Sequence, residues 1–324
     1  MQRLVVVGLS LGFVVATSGT VVAAQTKDNV INEYSIPTLN SLSGSIVAGP
    51  DGNLWFTESG ASKIGRITTL GGITEFPVPT ANSMPLGITT GADGNLWFTE
   101  AAGNKIGRIT PTGTITEFVV PTPASTPWII TGGPDGNLWF TEIDANKVAR
   151  LTPSGTFTEF AVPTLNSAPS GITGGPDGNV WFTESFRSNV ARITPSGVIT
   201  EFRIPSGGAS ARRITAGPDG NLWFTEYARN KVAKLTPAGS ITEFRIPTKK
   251  STPVGITAGP DGNVWFTERT GNNIARTTTS GVISEFASPT GGSQPIGIAT
   301  GSDGNMWFTE FAANKIGQLE LDDD

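Results

Sequence analysis

Apolar and polar residues recur along this chain in a pattern that repeats every 42 residues. The most regular segment is the tetrapeptide Trp-Phe-Thr-Glu. It begins at seven positions: Trp55, Trp97, Trp139, Trp181, Trp223, Trp265 and Trp307. Four short strands and their turns occupy about this length, which is typical of one blade of a β-propeller. The pattern therefore predicts seven equivalent blades.

The second repeat shows how each blade is expected to be built. Residues 86–90 read as strand a, 96–100 as strand b, 104–110 as strand c and 114–120 as strand d, with Asp-Gly and Pro-x-Gly turns between them. In strand b, Leu96 and Phe98 lie on one face and Trp97 on the other. A sheet needs apolar residues on both faces when both are covered, as they are in a blade between two other blades.

The two ends of the repeat series are complementary. Residues 30–37 match strand d, because Glu33 and Tyr34 lie 42 residues before Glu75 and Phe76. The last repeat stops at residues 316–321, after its strand c, and lacks strand d. An open solenoid would need polar caps at both ends, and none is visible. We therefore predict an all-β, closed seven-bladed propeller of four-stranded blades, in which the N-terminal strand completes the last blade and leaves no open edge.

The first 24 residues have the pattern of a secretory signal peptide. Arg3 precedes an apolar run over residues 4–15, and small residues lead to an expected cleavage site after Ala24. The alternative is an N-terminal membrane anchor, but the apolar run is too short to span a bilayer. We expect a single propeller domain over residues 25–324, secreted or located in the periplasm.

Composition narrows the possible partners and chemistry. The chain has 22 basic and 27 acidic residues, and removal of residues 1–24 would leave a net charge near −6. This mildly acidic balance argues against nucleic acid or an anionic membrane as a partner, and we expect a monomer. Cysteine and histidine are both absent. Thiol chemistry, Ser-His-Asp triads and histidine general bases are therefore excluded.

The sequence of the repeats resembles that of a known family. The run P-x-G-I-T-x-G-P-D-G-N-L-W-F-T-E, then N-K-I-G-R-I-T-P and I-T-E-F, is similar to the streptogramin B lyase (virginiamycin B lyase) family over the whole of residues 25–324. The resemblance implies a seven-bladed propeller. It also implies an enzyme that uses Mg²⁺ to open a cyclic depsipeptide antibiotic by elimination at an ester C–O bond.

The catalytic positions that the resemblance implies are mostly changed in this chain. The family's base is a histidine directly after the Pro that opens strand a of the last blade, where this chain has Ile296. A second histidine lies one repeat earlier, at the position of Val254, and a metal-binding Glu lies at the position of Gln294. The other metal-binding Glu is kept as Glu310. Isoleucine cannot accept a proton. The resemblance therefore supports the family's fold for this chain much more strongly than the family's reaction.

Acidic residues recur in every blade. One glutamate ends each strand b: Glu58, Glu100, Glu142, Glu184, Glu226, Glu268 and Glu310. Such a ring could hold Mg²⁺ or Ca²⁺ through carboxylate oxygens, with Glu310 and Glu226 as candidate ligands. The alternative is one structural contact repeated seven times, in which lysines five residues later (Lys63 and its equivalents) neutralise the glutamates. The glutamates of strand d, such as Glu75, are expected to be solvated.

A binding site for an asymmetric ligand must break the sevenfold symmetry. The position after the Pro of strand a, near the mouth of the central channel, is occupied by Gly44, Leu86, Trp128, Ser170, Arg212, Val254 and Ile296. After the strand-b glutamate, the departures are Asp144, Phe186, Arg187, Tyr227, Arg229, Arg269 and Phe311. Aromatic anchors beside arginines are typical of binding pockets. We therefore predict a ligand site formed by Trp128, Ser170, Phe186, Arg187, Arg212 and Tyr227; the alternative is drift at tolerant loop positions.

Three functions fit these observations. The first is an exported propeller that binds a small molecule, glycan or peptide at the channel mouth and lacks the family's histidines. The second is a Mg²⁺-dependent streptogramin B lyase with a rebuilt site. The third is a metal-dependent lactonase-type propeller, which would need about three clustered carboxylate or amide ligands.

Overall fold

The computed structural model describes residues 30–321, and all regular structure in that range is β-strand. The expected signal peptide, residues 1–24, lies outside the described residues. The strands are β1 (Ile31–Ser35), β2 (Ser43–Ala48), β3 (Leu54–Glu58), β4 (Lys63–Ile67), β5 (Ile73–Pro77), β6 (Pro85–Thr90), β7 (Leu96–Glu100), β8 (Lys105–Ile109), β9 (Ile115–Val119), β10 (Pro127–Gly132), β11 (Leu138–Glu142), β12 (Lys147–Leu151), β13 (Phe157–Ala161), β14 (Pro169–Gly174), β15 (Val180–Glu184), β16 (Asn189–Ile193), β17 (Ile199–Arg203), β18 (Ala211–Ala216), β19 (Leu222–Glu226), β20 (Lys231–Leu235), β21 (Ile241–Arg245), β22 (Pro253–Ala258), β23 (Val264–Glu268), β24 (Asn273–Thr277), β25 (Ile283–Ala287), β26 (Pro295–Thr300), β27 (Met306–Glu310) and β28 (Lys315–Leu319).

These strands form seven four-stranded antiparallel sheets, and the fold is a seven-bladed β-propeller. Blade 1 is β2–β5, blade 2 is β6–β9, and so on to blade 6, β22–β25. In blade 2 the observed strand b has the predicted bounds, whereas strand a begins one residue earlier, at Pro85. Within the described part of the chain, no helix is long and apolar enough to cross a lipid bilayer.

Blade 7 is assembled from both ends of the described chain. Strand β1 pairs antiparallel with β28, with Ile31 opposite Leu319 and Ser35 opposite Lys315, so the sheet order is β1-β28-β27-β26. The innermost strand of every blade packs against those of both neighbours; β2, for example, contacts β6 and β26. The predicted closed ring and its N-terminal closing strand are therefore confirmed.

The hydrophobic core lies between the blades. Trp55 of blade 1 packs against Leu96 and Phe98 of blade 2, and all three side chains are fully buried. Phe76 of the outermost strand stacks on Trp55 with ring centroids 5.4 Å apart. Because every strand b is covered by a blade on each side, its apolar residues on both faces leave water, as the sequence pattern predicted.

The repeated Asp-Gly turn supports the buried tryptophan. The Oδ1 atom of Asp51 accepts hydrogen bonds from the Trp55 indole Nε1 at 3.0 Å and from the Asn53 backbone nitrogen at 3.3 Å. Gly52 has φ of +76°, a conformation that glycine adopts without strain. The turn thus provides an acceptor for the indole N–H, which would otherwise be buried without a partner.

The prediction that the strand-d glutamates are solvated is wrong. The carboxylate of Glu75 accepts hydrogen bonds from the Thr38 backbone nitrogen at 2.9 Å and from Lys63 Nζ at 2.9 Å. Its side chain is only 13% exposed, because the connector that carries Thr38 covers the end of the outer strand. In blade 7, Glu33 of β1 makes the same contacts with Thr290 and Lys315, so this network also secures the ring closure.

Candidate functional site

A β-bulge in strand a sets the side chains that surround the channel mouth. In all seven blades, the pairing of strands a and b shifts between the first and fourth residues of strand a, Pro85 and Ile88 in blade 2. The Thr99 hydroxyl accepts a hydrogen bond from the bulged Gly87 nitrogen at 2.9 Å and donates one to the Trp128 carbonyl of the next blade at 2.8 Å. Bulges of this kind redirect side chains, and here the threonine bonds the second residue of strand a in the next blade around the whole ring.

All seven of these redirected residues line one cavity of about 260 Å³ at the channel mouth. Its lining consists of Gly44, Ser59, Leu86, Trp128, Ile129, Ser170, Arg212, Arg213, Tyr227, Val254, Arg269, Ile296 and Phe311. The structure therefore brings together four predicted site residues, Trp128, Ser170, Arg212 and Tyr227. The cavity is slightly smaller than typical small-molecule pockets, which measure roughly 300–1,000 Å³.

Two other predicted site residues, Phe186 and Arg187, do not line the cavity. The side chain of Phe186 is 73% exposed, and Arg187 Nε donates to the Leu165 carbonyl at 3.1 Å. The Phe186 backbone nitrogen is bonded to the Ser167 carbonyl, which ties this loop to the connector of blade 4. The structure therefore does not bring these two residues into the cavity with the other four, and their contact with a ligand stays a prediction.

Arg212 is held against an aromatic ring and not against a carboxylate. Its guanidinium lies 5.0 Å from the ring centroid of Tyr227, a cation–π arrangement. Among the residues that the structure describes, Arg212 forms no ion pair. Burial lowers the pKa of Arg212, and the positive charge of nearby Arg269 also lowers it. Neutralisation of local glutamates therefore does not account for this arginine.

Arg213 is a site residue that the sequence comparison missed. Its Nη2 atom crosses the channel and donates to Ser45 Oγ at 3.0 Å. It has room because its neighbours in the ring are Gly171 and Gly255, where a Cβ would lie 2.3 and 2.2 Å from backbone oxygens of the next blades. Burial and, to a smaller extent, the charge of Arg212 lower the pKa of Arg213 to about 10.

The signal for Arg213 lay one residue beyond the position that was compared. That next position is occupied by Ser45, Gly87, Ile129, Gly171, Arg213, Gly255 and Gly297. Arg213 and Ile129 also border a second cavity of about 180 Å³ deeper in the channel. The two side chains therefore form the floor of the upper cavity.

The strand-b glutamates are seven separate, buried carboxyl groups. Each is 0% exposed, and the expected neutralisation by lysine is wrong, because Lys63 pairs with Glu75 and not with Glu58. Burial raises the pKa of Glu58 to about 8, and the charge of Glu75 also raises it. The same causes raise the pKa to about 8 or about 7 in five more blades: Glu100, Glu142, Glu184, Glu226 and Glu268. Repetition of one contact in every blade favours a structural role.

Comparison with known proteins agrees with this architecture. The model of the Virginiamycin B lyase family matches residues 10–132 and 120–324. The chain belongs to the virginiamycin B lyase family. A solved streptogramin B lyase is 38% identical, with a TM-score of 0.87 over 91% of this chain and 98% of that one.

Two structures of virginiamycin B lyase from Staphylococcus aureus are equally similar. Both are 40% identical, with a TM-score of 0.87 over 91% of this chain and all of the other. One is a catalytically inactive histidine-to-alanine variant with quinupristin. Hydrazine synthase from Kuenenia stuttgartiensis shares only the fold, at 14% identity and a TM-score of 0.72.

The positions where the virginiamycin B lyase family is expected to hold its base and metal have different chemistry here. Ile296 and Val254 form part of the apolar wall of the cavity. The Oε1 atom of Gln294 accepts a hydrogen bond from Arg269 Nε at 3.0 Å, and the Arg269 guanidinium lies 5.4 Å from the ring centroid of Phe311. A cationic group therefore occupies the surroundings of the expected metal-binding carboxylate.

The residues present do not fit Mg²⁺. Glu310 is fully buried and accepts a hydrogen bond from Ser288, and it is not part of the cavity lining. Burial raises the pKa of both Glu310 and Glu226, and neither carboxyl group lines the cavity. Within residues 30–321, no three acidic, histidine or cysteine side chains come together.

Proposed function

We propose that this protein is an exported, ligand-binding member of the virginiamycin B lyase family that does not perform the histidine-dependent elimination. The observation that carries the proposal is the content of the channel mouth. Where the family resemblance places a general base there is Ile296, and where it places a metal carboxylate there is Gln294 bound to Arg269. The Staphylococcus aureus enzyme is described as inactive after loss of one histidine, and this chain has none.

Binding is supported by the asymmetry of the cavity. Trp128 provides an apolar surface on one side, Arg212 and Tyr227 provide donors and a ring on another, and Ser170 provides a small, buried polar wall. A ligand without sevenfold symmetry can be oriented only by such unequal contacts. The ligand class that we propose is a small molecule, or a glycan or peptide that inserts one end group into the cavity.

Export is the cellular part of the proposal. It rests on the signal-peptide pattern of residues 1–24, with cleavage near Ala24. Export would place the open mouth of the propeller in the periplasm or outside the cell, where it would meet ligands before they enter the cytoplasm.

Purified protein should not open the ring of quinupristin at neutral pH, with or without Mg²⁺. A general base typically contributes about 10²–10⁴-fold to the rate, and the described lining of this cavity contains no histidine or carboxylate to replace it. Ring opening is followed by mass spectrometry, with Staphylococcus aureus virginiamycin B lyase as the positive control. The triple substitution Ile296→His, Val254→His and Gln294→Glu tests whether the scaffold becomes active when these positions are restored. Time-dependent opening by the unaltered chain, abolished by EDTA, would instead establish it as a Mg²⁺-dependent lyase.

A further inference from the structure

Three arginines converge on the cavity without a carboxylate partner. Arg212, Arg213 and Arg269 all contribute to its lining. None of them forms an ion pair in the part of the chain that the structure describes. By contrast, arginines and lysines on strand c pair with aspartates of the Asp-Gly turns, as Arg66 does with Asp51. The arginines of the cavity are therefore unlike the structural ones of the same fold.

Each of these arginines makes at most one side-chain hydrogen bond, which leaves most of its donors free. Arg213 Nη2 donates to Ser45, Arg269 Nε donates to Gln294, and Arg212 lies over Tyr227. A guanidinium has five N–H donors, so each retains several for a ligand. None of their nitrogens is among the side-chain atoms that are sealed off without a partner within residues 30–321. Any of their nitrogens without a partner is therefore accessible to solvent, and all three side chains line the cavity.

The free-energy cost of placing three unpaired arginines around one cavity indicates a function. Like charges close together repel, and desolvation of a guanidinium that lacks an anion is unfavourable. Both effects act here, since burial lowers the pKa of Arg213 and Arg212 lowers it further. A ligand that supplies the missing negative charge would relieve both.

A basic groove leads to the same side of the mouth. It has a volume of about 580 Å³ and contains Arg229, Arg245, Lys249 and Lys250. Tyr227 lines both the groove and the cavity. The chain as a whole carries a net charge of −5, so this sector is a local exception that would attract an anion.

We propose that the cavity binds small organic anions, with a carboxylate or phosphate held by Arg212, Arg213 and Arg269 and an apolar body against Trp128 and Ile296. This inference rests on the proposed binding function and specifies its ligand class. Arg269 takes the anion at the side of the mouth where the resemblance would place a metal cation. Bidentate contacts between arginine and a planar or tetrahedral anion provide the selectivity.

The test uses four probes with the same aromatic body: naphthoate, naphthyl phosphate, neutral naphthamide and cationic naphthylmethylamine. Affinities are measured by isothermal titration calorimetry at low and high salt. At least one anionic probe should bind about tenfold or more tightly than naphthamide, because only an anion can pair its charge with these arginines; tenfold corresponds to about 1.4 kcal/mol. Its affinity should fall at high salt, and the cationic probe should bind least.

Matched variants separate charge recognition from simple occupancy of the cavity. Arg213→Met and Arg269→Met should each weaken binding of the anion about tenfold and leave the affinity for naphthamide unchanged. Arg203→Met removes a charge from an exposed position on the outer strand of blade 4 and should change neither. Trp128→Ala should weaken all probes alike. Arg213→Met should keep its melting temperature, because the arginine has no carboxylate to lose.

The outcomes distinguish the two proposals. If anionic and neutral probes bind equally and both respond to Trp128→Ala, the anion preference is wrong and the binding function stands. If the anion binds but neither arginine variant weakens it, its site lies elsewhere and the inference fails. If no probe binds, both the anion preference and the proposed binding role of this cavity are wrong.

Discussion

Deletion of residues 30–37 should lower the melting temperature by about 10 °C or more and make the protein prone to aggregate. The deleted segment contains β1, whose Tyr34 stacks on Trp307 at 5.7 Å, and Ile36, which is buried. Burial of one large apolar side chain contributes about 1.5–3 kcal/mol, so the loss of Ile31, Tyr34 and Ile36 amounts to roughly 5 kcal/mol. In a domain of this size, about 1 kcal/mol shifts the melting temperature by 2–4 °C. The deletion also exposes β28 as an unpaired edge, which is a site for intermolecular pairing.

Two controls make this test specific to ring closure. Substitution of the exposed Leu39 by Ala, just beyond the deleted segment, should leave the melting temperature unchanged, since its side chain is 80% exposed. A synthetic peptide of residues 30–37 added to the truncated protein should restore part of the stability, because a ligand that binds only the folded state stabilises it. A truncated protein that melts like the full chain by circular dichroism and stays monomeric in light scattering would show that β1 does not close the ring in solution.

Thermal stability should fall steadily as the pH is raised from about 5 to about 9. The strand-b glutamates have the usual pKa near 4.5 when unfolded, whereas burial, followed by the strand-d carboxylate, raises the pKa to about 8 in Glu58, for example. Between these values the folded state binds more protons than the unfolded state, so stability decreases with rising pH. The stabilisation that the protonated strand-b glutamates provide is complete below about pH 4.5 and is lost as the pH rises through about 7–8.

The number of these groups makes the effect large. A shift of one pKa unit corresponds to 1.36 kcal/mol, and whole domains are stable by only about 5–15 kcal/mol. The free-energy cost of ionising several buried carboxyl groups would therefore exceed the free energy of unfolding of the protein, unless water enters the blades. The carboxylates whose pKa is lowered, such as Asp51 and Glu75, lose their contribution only below about pH 4.5. They act outside this window.

Melting curves from pH 5 to 9 at constant ionic strength measure the effect. Glu58→Gln replaces one carboxyl with a neutral group of similar shape and should reduce the pH slope by about one seventh, with little loss at pH 5. The matched control, Asp144→Asn, removes an exposed carboxylate and should leave the slope unchanged. A melting temperature that is constant or rises between pH 5 and 8 would show that these glutamates are ionised and solvated in the folded state.

Several features of the candidate site could be predicted because they follow from local spacing. The position after the Pro of strand a was identified as channel-lining from the repeat alone, and all seven residues at that position line the cavity. Arg213 was missed because a bulge places a second residue of strand a toward the channel, and a regular alternation of side chains does not predict it. Phe186 and Arg187 lie outside the cavity because the direction of their loop depends on its hydrogen bond to the blade 4 connector.

The number of blades, the strand-b core and the complementary ends all follow from the amino-acid sequence alone. These features depend on periodicity and on pairing between strands that are neighbours in the chain. Each 42-residue repeat specifies that pattern again. The folded ring decided which carboxylate each lysine binds, since Thr38 and Glu75 are brought to Lys63 by a connector and a second strand. It also decided that Arg213 reaches Ser45, 168 residues away. Contacts across a closed ring depend on the curvature of all seven blades together, and no local pattern records that curvature.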